Sequence, residues 1–242
     1  MKWIDFEREI KTKNIILFTP LDVQRFLGRT KIATRFLIHR LKKQGYIISL
    51  KRGLYQLSDT HVPDLYLANK LYEPSYVSLE FALSYHQVIP ETVYEITSVT
   101  TKATRRFSSS GKSFTYRSIK KEVFTGYVSK KEGNYNYLIA EPEKAFVDLN
   151  YFRLINKQKP LSRFNKERIN ASKALRYAKL FNNKKLISVI KTTLQRLLVK
   201  IQKLTGREIN SVELTKKEFE KRMKKKDPFL IDIFSKKHLQ IL

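Results

Sequence analysis

Residues 19–58 read TPLDVQRFLGRTKIATRFLIHRLKKQGYIISLKRGLYQLS, and the order of their local signals decides the fold of the N-terminal part. Thr19 is a good helix N-cap, and Pro20 suits the first helical position. Leu21, Val23, Phe26 and Leu27 then make a short apolar face, which Gly28 closes as a C-cap. Thr30 restarts a helix in which Ala33, Leu37 and Leu41 recur at helical spacing, and Gly45 ends it. Residues 46–50 read as a strand. Lys51-Arg52-Gly53 is a tight turn, with glycine supplying a positive φ, and residues 54–57 return as a second strand. Two short helices followed by a basic-tipped β-ribbon is the order of a winged helix-turn-helix.

In such a unit the second helix enters the major groove of DNA, led by its N-terminal residues. With Ala33, Leu37 and Leu41 on the core, Lys31, Thr34, Arg35 and His39 are expected to face out, flanked by Thr30 and Lys42. Threonine and arginine reach base edges, and lysine more often pairs with phosphate. Lys51 and Arg52 at the tip of the ribbon suit phosphate or the minor groove.

The charge balance agrees with a polyanionic partner. The 242 residues carry 49 Lys and Arg against 22 Asp and Glu, a formal net charge of +27. It is unevenly spread. Residues 1–60 hold 13 basic and 5 acidic side chains, residues 61–150 hold 11 and 10, and residues 151–242 hold 25 and 7. Both flanks are basic and the middle is ordinary, so two basic surfaces, or one made jointly, are available to phosphates. Hydrophobic residues make up 42%, with 15 Phe and 13 Tyr, enough for ordinary buried cores. With 7 Gly and 7 Pro this is not a low-complexity chain. The absence of cysteine excludes disulfides and thiolate metal sites and is compatible with a reducing cytoplasm. The N-terminus has no apolar run long enough for a signal peptide or a membrane span. A cytoplasmic protein is expected, without membrane contact.

Further along, residues 3–11 read as a first helix and 15–18 as a short strand. A loop at 59–63 marks a boundary between a domain at 1–60 and a second at 61–242. Residues 64–73 look helical, and Ser78 caps a short helix through Tyr85. Strands are expected near 93–101, 112–119, 122–129 and 135–139, with Ser108-Ser109-Ser110-Gly111 as the turn between the first two. Glu141-Pro142-Glu143 opens a helix, and the chain is expected to be helical from about 165 onward. In the helix near 184–204, Ile190, Leu194, Leu197, Ile201 and Leu204 form a seam too short for a coiled coil, which favours packing within the domain. The basic run 216–226 is interrupted by Glu218 and Glu220, and a solvated face and a phosphate track are equally open for it.

Signs of catalysis are weak. His39, His61, His86 and His238 are scattered without metal-ligand spacing, and no metal or cofactor is expected. Gly111-Lys112-Ser113 resembles the end of a phosphate-binding loop, but the glycine required five positions earlier is Arg106, so a β-hairpin turn is the better reading. Glu141 and Glu143 diverge at a helix start, where they complement the helix dipole.

The middle of the chain carries a resemblance. The motifs YVSLEFALSYHQVIPETVYEITSVTTKATRRF, FTYRSIKKEVFTGY and IAEPEKAFVDL occur in that order and are similar to the AbiEi family. Its members are antitoxins and transcriptional autoregulators of bacterial type IV toxin–antitoxin systems, associated with phage defence. The likeness covers about residues 20–150. Gln87 stands where such proteins often have glycine, and beyond about 160 only helical character is shared. The resemblance implies an N-terminal winged helix that binds inverted repeats in duplex DNA and represses its own operon. It also implies a C-terminal antitoxin domain that opposes a nucleotidyltransferase-like toxin, with direct contact left open. Within that domain, Lys102, Arg105, Arg106 and Lys112 on a charged hairpin are the expected contacts for a polyanion or for toxin-related function.

The expectation is therefore an α+β protein with a winged helix-turn-helix followed by a mixed antitoxin domain ending in basic helices. It is expected to be a monomer in solution that places two copies on DNA, and to work by binding rather than catalysis. The rival expectations are an RNA-binding protein whose basic C-terminal helices track tRNA or another structured RNA, a nuclease or nucleotidyltransferase, which needs clustered carboxylates, and a repressor controlled by a small ligand. The RNA reading would use the aromatics of 114–137 as a stacking platform, although core packing is the better account of them.

Overall fold

The computed structural model describes residues 3–109 and 111–205. It is a mixed α+β protein. The chain divides into two units, 1–195 and 196–242, and the two hydrophobic cores below lie in the first.

The smaller core is built by residues up to 57. Helix α1 (Trp3–Thr12) buries Phe6 and Ile10. Helix α2 (Pro20–Leu27) starts at a reciprocal cap: the Asp22 amide donates to the Thr19 hydroxyl, and the Thr19 amide donates to the Asp22 carboxylate at 2.8 Å. Gly28, with φ of 59°, ends it in the left-handed region that glycine enters without steric penalty. Helix α3 (Lys31–Lys43) is capped by Thr30, whose hydroxyl accepts from the Ala33 amide. Strands β1 (Ile47–Lys51) and β2 (Leu54–Leu57) form an antiparallel hairpin that turns at Gly53, and Phe18 bridges to Tyr55 at its edge. Phe6 meets Phe18 and Phe26 edge-on, both at 5.5 Å between ring centroids.

The larger core surrounds a six-stranded sheet. Its elements are α4 (Asp64–Leu71), β3 (Ser75–Val77), α5 (Leu79–Tyr85), β4 (Ile96–Thr100), β5 (Arg105–Ser109), β6 (Lys112–Ser118), β7 (Tyr127–Glu132), β8 (Tyr135–Ala140), α6 (Pro142–Ile155), α7 (Ala171–Leu180) and α8 (Lys184–Thr205). The strand order is β5-β6-β4-β3-β8-β7. β4 lies parallel to β6 and β3 parallel to β8, and the other neighbours are antiparallel.

Three sequence expectations need correction here. The turn at 108–111 does not join the strands expected at 93–101 and 112–119. An unforeseen strand, β5, pairs with β6 through that turn, which leaves β4 and β6 parallel. The strand expected at 122–129 starts later, at Tyr127, after a 3-10 turn at Lys121–Val123. β3 was not foreseen at all. It has three residues, too few for a period-2 pattern, and all are buried on both faces at the centre of the sheet.

The hairpin contributes to both cores. Ile47 and Leu57 belong to the smaller one, and Leu50 and Leu54 to the larger. In α8, Leu186 and Ile190 are buried in the larger core. The rest of the seam from Leu197 onward and the run 216–226 lie outside the residues whose side chains are described. Gln87 has a φ of 57°, in the left-handed region that favours glycine.

The motif EPEKAFVDL supplies a buried polar centre. Lys144 and Asp148 sit one turn apart on α6, both with fully buried side chains, and form an ion pair. The Lys144 ammonium also donates to the Tyr76 hydroxyl at 2.9 Å. The hydroxyls of Tyr76 and Ser78 donate to the Asp148 carboxylate at 3.0 and 2.9 Å. Burial pushes this carboxyl above its ordinary value, against the charge of Lys144 and the donated hydrogen bonds. Ser78, expected as a helix cap, spends its hydroxyl on this network instead. Glu141 and Glu143 do more than complement the helix dipole. Glu141 accepts from Lys173 and Tyr177, and Glu143 from the Asn170 amide, which ties α7 to the start of α6.

Candidate nucleic-acid interface

Helix α3 divides into two faces. Thr34, Leu37, Ile38 and Leu41 are buried. At about 3.6 residues per turn, the side chains opposite that stripe are Ile32, Phe36, His39 and Lys43. Lys31, Arg35 and Lys42 flank them on one side and Arg40 on the other. From Asp22 to Asp59 the sequence holds nine Lys and Arg and no intervening acid. The outward face of α3 thus carries lysines and arginines, with His39, around two apolar side chains, and no acid.

The expected contact residues are placed as follows. Thr30 is exposed, but its hydroxyl is engaged in capping α3. Lys31, Arg35, His39 and Lys42 are exposed on α3. Thr34 is a correction: it is 1% exposed, and its hydroxyl donates to the Thr30 carbonyl at 2.9 Å, so it faces the core. The expected stripe through Ala33 was rotated. Ala33 is half-buried, and Thr34 and Ile38 take the inner positions because a short polar side chain bonded to the preceding turn is easily buried.

Two large apolar side chains lie outside the stripe altogether. Ile32 is 68% exposed and Phe36 is 73% exposed. They are one turn apart, so they share a face, and with Pro20, Arg35, His39, Lys42 and Tyr55 they line a groove of about 620 Å³. Leaving two such side chains in water forgoes about 1.5–3 kcal/mol of burial each. The signal was present in the spacing: 32 and 36 cannot lie on one stripe with 37 and 41.

The hairpin tip and the second basic group come together. Lys51, Arg52, Lys70, Lys102 and Arg105 surround one cleft of about 450 Å³ with Tyr72, Glu73 and Phe107. Arg105 and Lys102 lie over the Tyr72 ring at 5.5 and 5.6 Å. Lys51 is not a free cation at the tip, which is a second correction. Its ammonium donates to the Leu71 carbonyl at 2.6 Å, at the end of α4. Burial holds its amine below the ordinary lysine value, helped by Lys102 and Arg105 and opposed by Glu73. Arg52 is exposed.

Arg106 and Lys112 do not join this cleft. Arg106 pairs with Glu95 at 2.9 Å, and Lys112 pairs with Asp64. Of the expected hairpin group, Lys102 and Arg105 therefore stand with Arg52, while the other two carry carboxylate partners. The aromatics of 114–137, a stacking platform only in the rival RNA-binding expectation, are largely core: Phe114, Tyr116 and Tyr137 are buried.

Among the described residues no three His, Asp or Glu side chains gather as metal ligands, and no helix is long and apolar enough to cross a membrane. No family model and no curated protein matches this chain.

Proposed function

We propose that this chain is a DNA-binding autoregulator of the AbiEi kind, the antitoxin partner in a type IV toxin–antitoxin pair. In this reading residues 1–60 act as a winged helix-turn-helix, with α3 in the major groove and the β1–β2 hairpin as the wing. The observation that carries it is the outer face of α3: Lys31, Arg35, His39, Arg40, Lys42 and Lys43 project from a capped helix that follows a tight turn and precedes a basic hairpin. Duplex phosphates complement such a face, and cations released from them provide the affinity. Arg35 and His39 supply base contacts, and Arg52 with Lys102 and Arg105 extends the cationic track beyond the helix. Two copies on an inverted repeat add avidity without a dimer seam. The remainder of the protein opposes the toxin by binding, without chemistry of its own.

The test is a salt titration of binding to the DNA upstream of this protein's own reading frame, to scrambled DNA of equal length and to total tRNA. Wild type runs beside Arg35→Ala with His39→Ala. Tight upstream binding, lost in the double variant while scrambled binding survives, is the expected result. Equal affinity for all three ligands, unchanged by the substitutions, would sink the reading.

A further inference from the structure

We propose that Ile32 and Phe36 are specificity residues that read thymine 5-methyl groups in the major groove. This rests on the DNA-binding reading of α3 and adds to it the base chemistry of the site. An apolar pair at the outermost position of an otherwise cationic helix needs an occupant that is both anionic and locally apolar. A protein surface with an apolar pocket supplies the second property, and the phosphate backbone supplies the first. The major groove at A·T pairs supplies both, because the thymine methyl stands out into a groove walled by phosphates.

The geometry favours this occupant over a second copy of the chain. Symmetric packing through Phe36 brings the α3 cations of two copies together, with no Asp or Glu between 23 and 58 to offset them. Against DNA the same cations are attractive. Ile32 is on the first turn of α3, the part of such a helix that penetrates deepest, and Phe36 lies one turn behind it. Arg35 and His39 lie along one side of the pair, so hydrogen-bonding side chains able to address a neighbouring base edge stand next to a thymine contact. Neither apolar side chain carries the fold, since both are mostly exposed.

The experiment uses the full chain and the upstream DNA prepared in two forms, one with thymine and one with uracil, which lacks only the methyl group. Burying one methyl-sized group changes affinity about fourfold, so two contacts give a preference of about fifteenfold for the thymine form. In Ile32→Ala with Phe36→Ala the two forms should bind equally. Arg35→Ala should weaken both forms alike and keep the preference. Wild type that prefers upstream over scrambled DNA yet binds the two forms equally overturns this inference and leaves the DNA-binding reading standing. A preference that persists in the Ile32/Phe36 double variant also overturns it, because the methyl effect then comes from duplex shape. No preference for upstream over scrambled DNA defeats the reading itself. Self-association of wild type that the double variant abolishes, with thymine and uracil forms equivalent, would instead assign the patch to a second copy.

Discussion

Replacing Asp148 by alanine should destabilise the larger core by about 3–5 kcal/mol, the range seen when one partner of a buried ion pair is removed. The structure explains the size of the effect. Lys144 is fully buried, so its ammonium keeps no access to water once the carboxylate is gone. Tyr76 and Ser78 lose their acceptor at the same time. With a urea dependence of about 2 kcal/mol per molar, the unfolding midpoint falls by about 2 M. Lys144→Met combined with Asp148→Leu should be more stable than Asp148→Ala alone, because no charge is then left unpaired. Urea unfolding followed by far-UV circular dichroism measures both. Trp3, the single tryptophan, lies 5.1 Å from Phe6 in the smaller core and gives a second probe by fluorescence. Leu50 and Leu54 of the hairpin join the larger core while Ile47 and Leu57 join the smaller, so the Trp3 transition should shift with the other. A midpoint change below about 0.5 M would refute the energetic reasoning. A Trp3 transition that stays in place would refute the coupling through the hairpin.

Other expectations follow from single sites. A Cβ at Gly126, where φ is 77°, would meet the Tyr177 ring at 2.7 Å and Lys144 Cγ at 2.9 Å, so Gly126→Ala should cost about 3 kcal/mol from backbone strain and overpacking. Gly133, with φ of 58° and open space around it, should cost only about 1 kcal/mol when changed to alanine, and thermal melts of the two variants compare them. The Thr115 hydroxyl, with Ser113 and Arg106, holds the Glu95 carboxyl below its ordinary 4.5 despite some burial. The folded state therefore binds this proton less readily than the unfolded state. Its contribution is present above pH 4.5 and is lost as the pH falls through the lower folded value. Glu95→Gln should accordingly be less stable than wild type at neutral pH and approach it in acid, as read from urea midpoints across that range. On the proposed DNA-binding function, Lys42→Ala should reduce the salt slope by about 0.9 per copy, whereas Lys51→Ala should change it little because that amine is held by Leu71. Equal slope changes for the two would show that Lys51 leaves its partner on DNA.

The local punctuation of the N-terminal part is legible along the chain. Thr19, Pro20, Gly28, Thr30 and Gly53 act within a few residues of themselves, so a cap or a positive-φ turn is written where it occurs. The same holds for the hairpin β1–β2 and for the charge of the 23–58 segment. Periodicity was less decisive: Thr34 lies inward where Ala33 was expected, and Ile32 and Phe36 stand outside the apolar stripe. The rest depends on folded contacts, because its partners are far apart along the chain. β3 earns its central place from pairing with β4 and β8, not from its own three residues. Asp148 meets Tyr76 and Ser78 across some 70 positions, which turns the charged motif EPEKAFVDL into a core. The fate of each surface cation was settled in the same way. Lys51, Arg106 and Lys112 are spent on Leu71, Glu95 and Asp64, and Arg52, Lys102 and Arg105 are gathered into one cleft. A single chain position states its charge, but which opposite charge or carbonyl stands within reach is a property of the folded contacts alone.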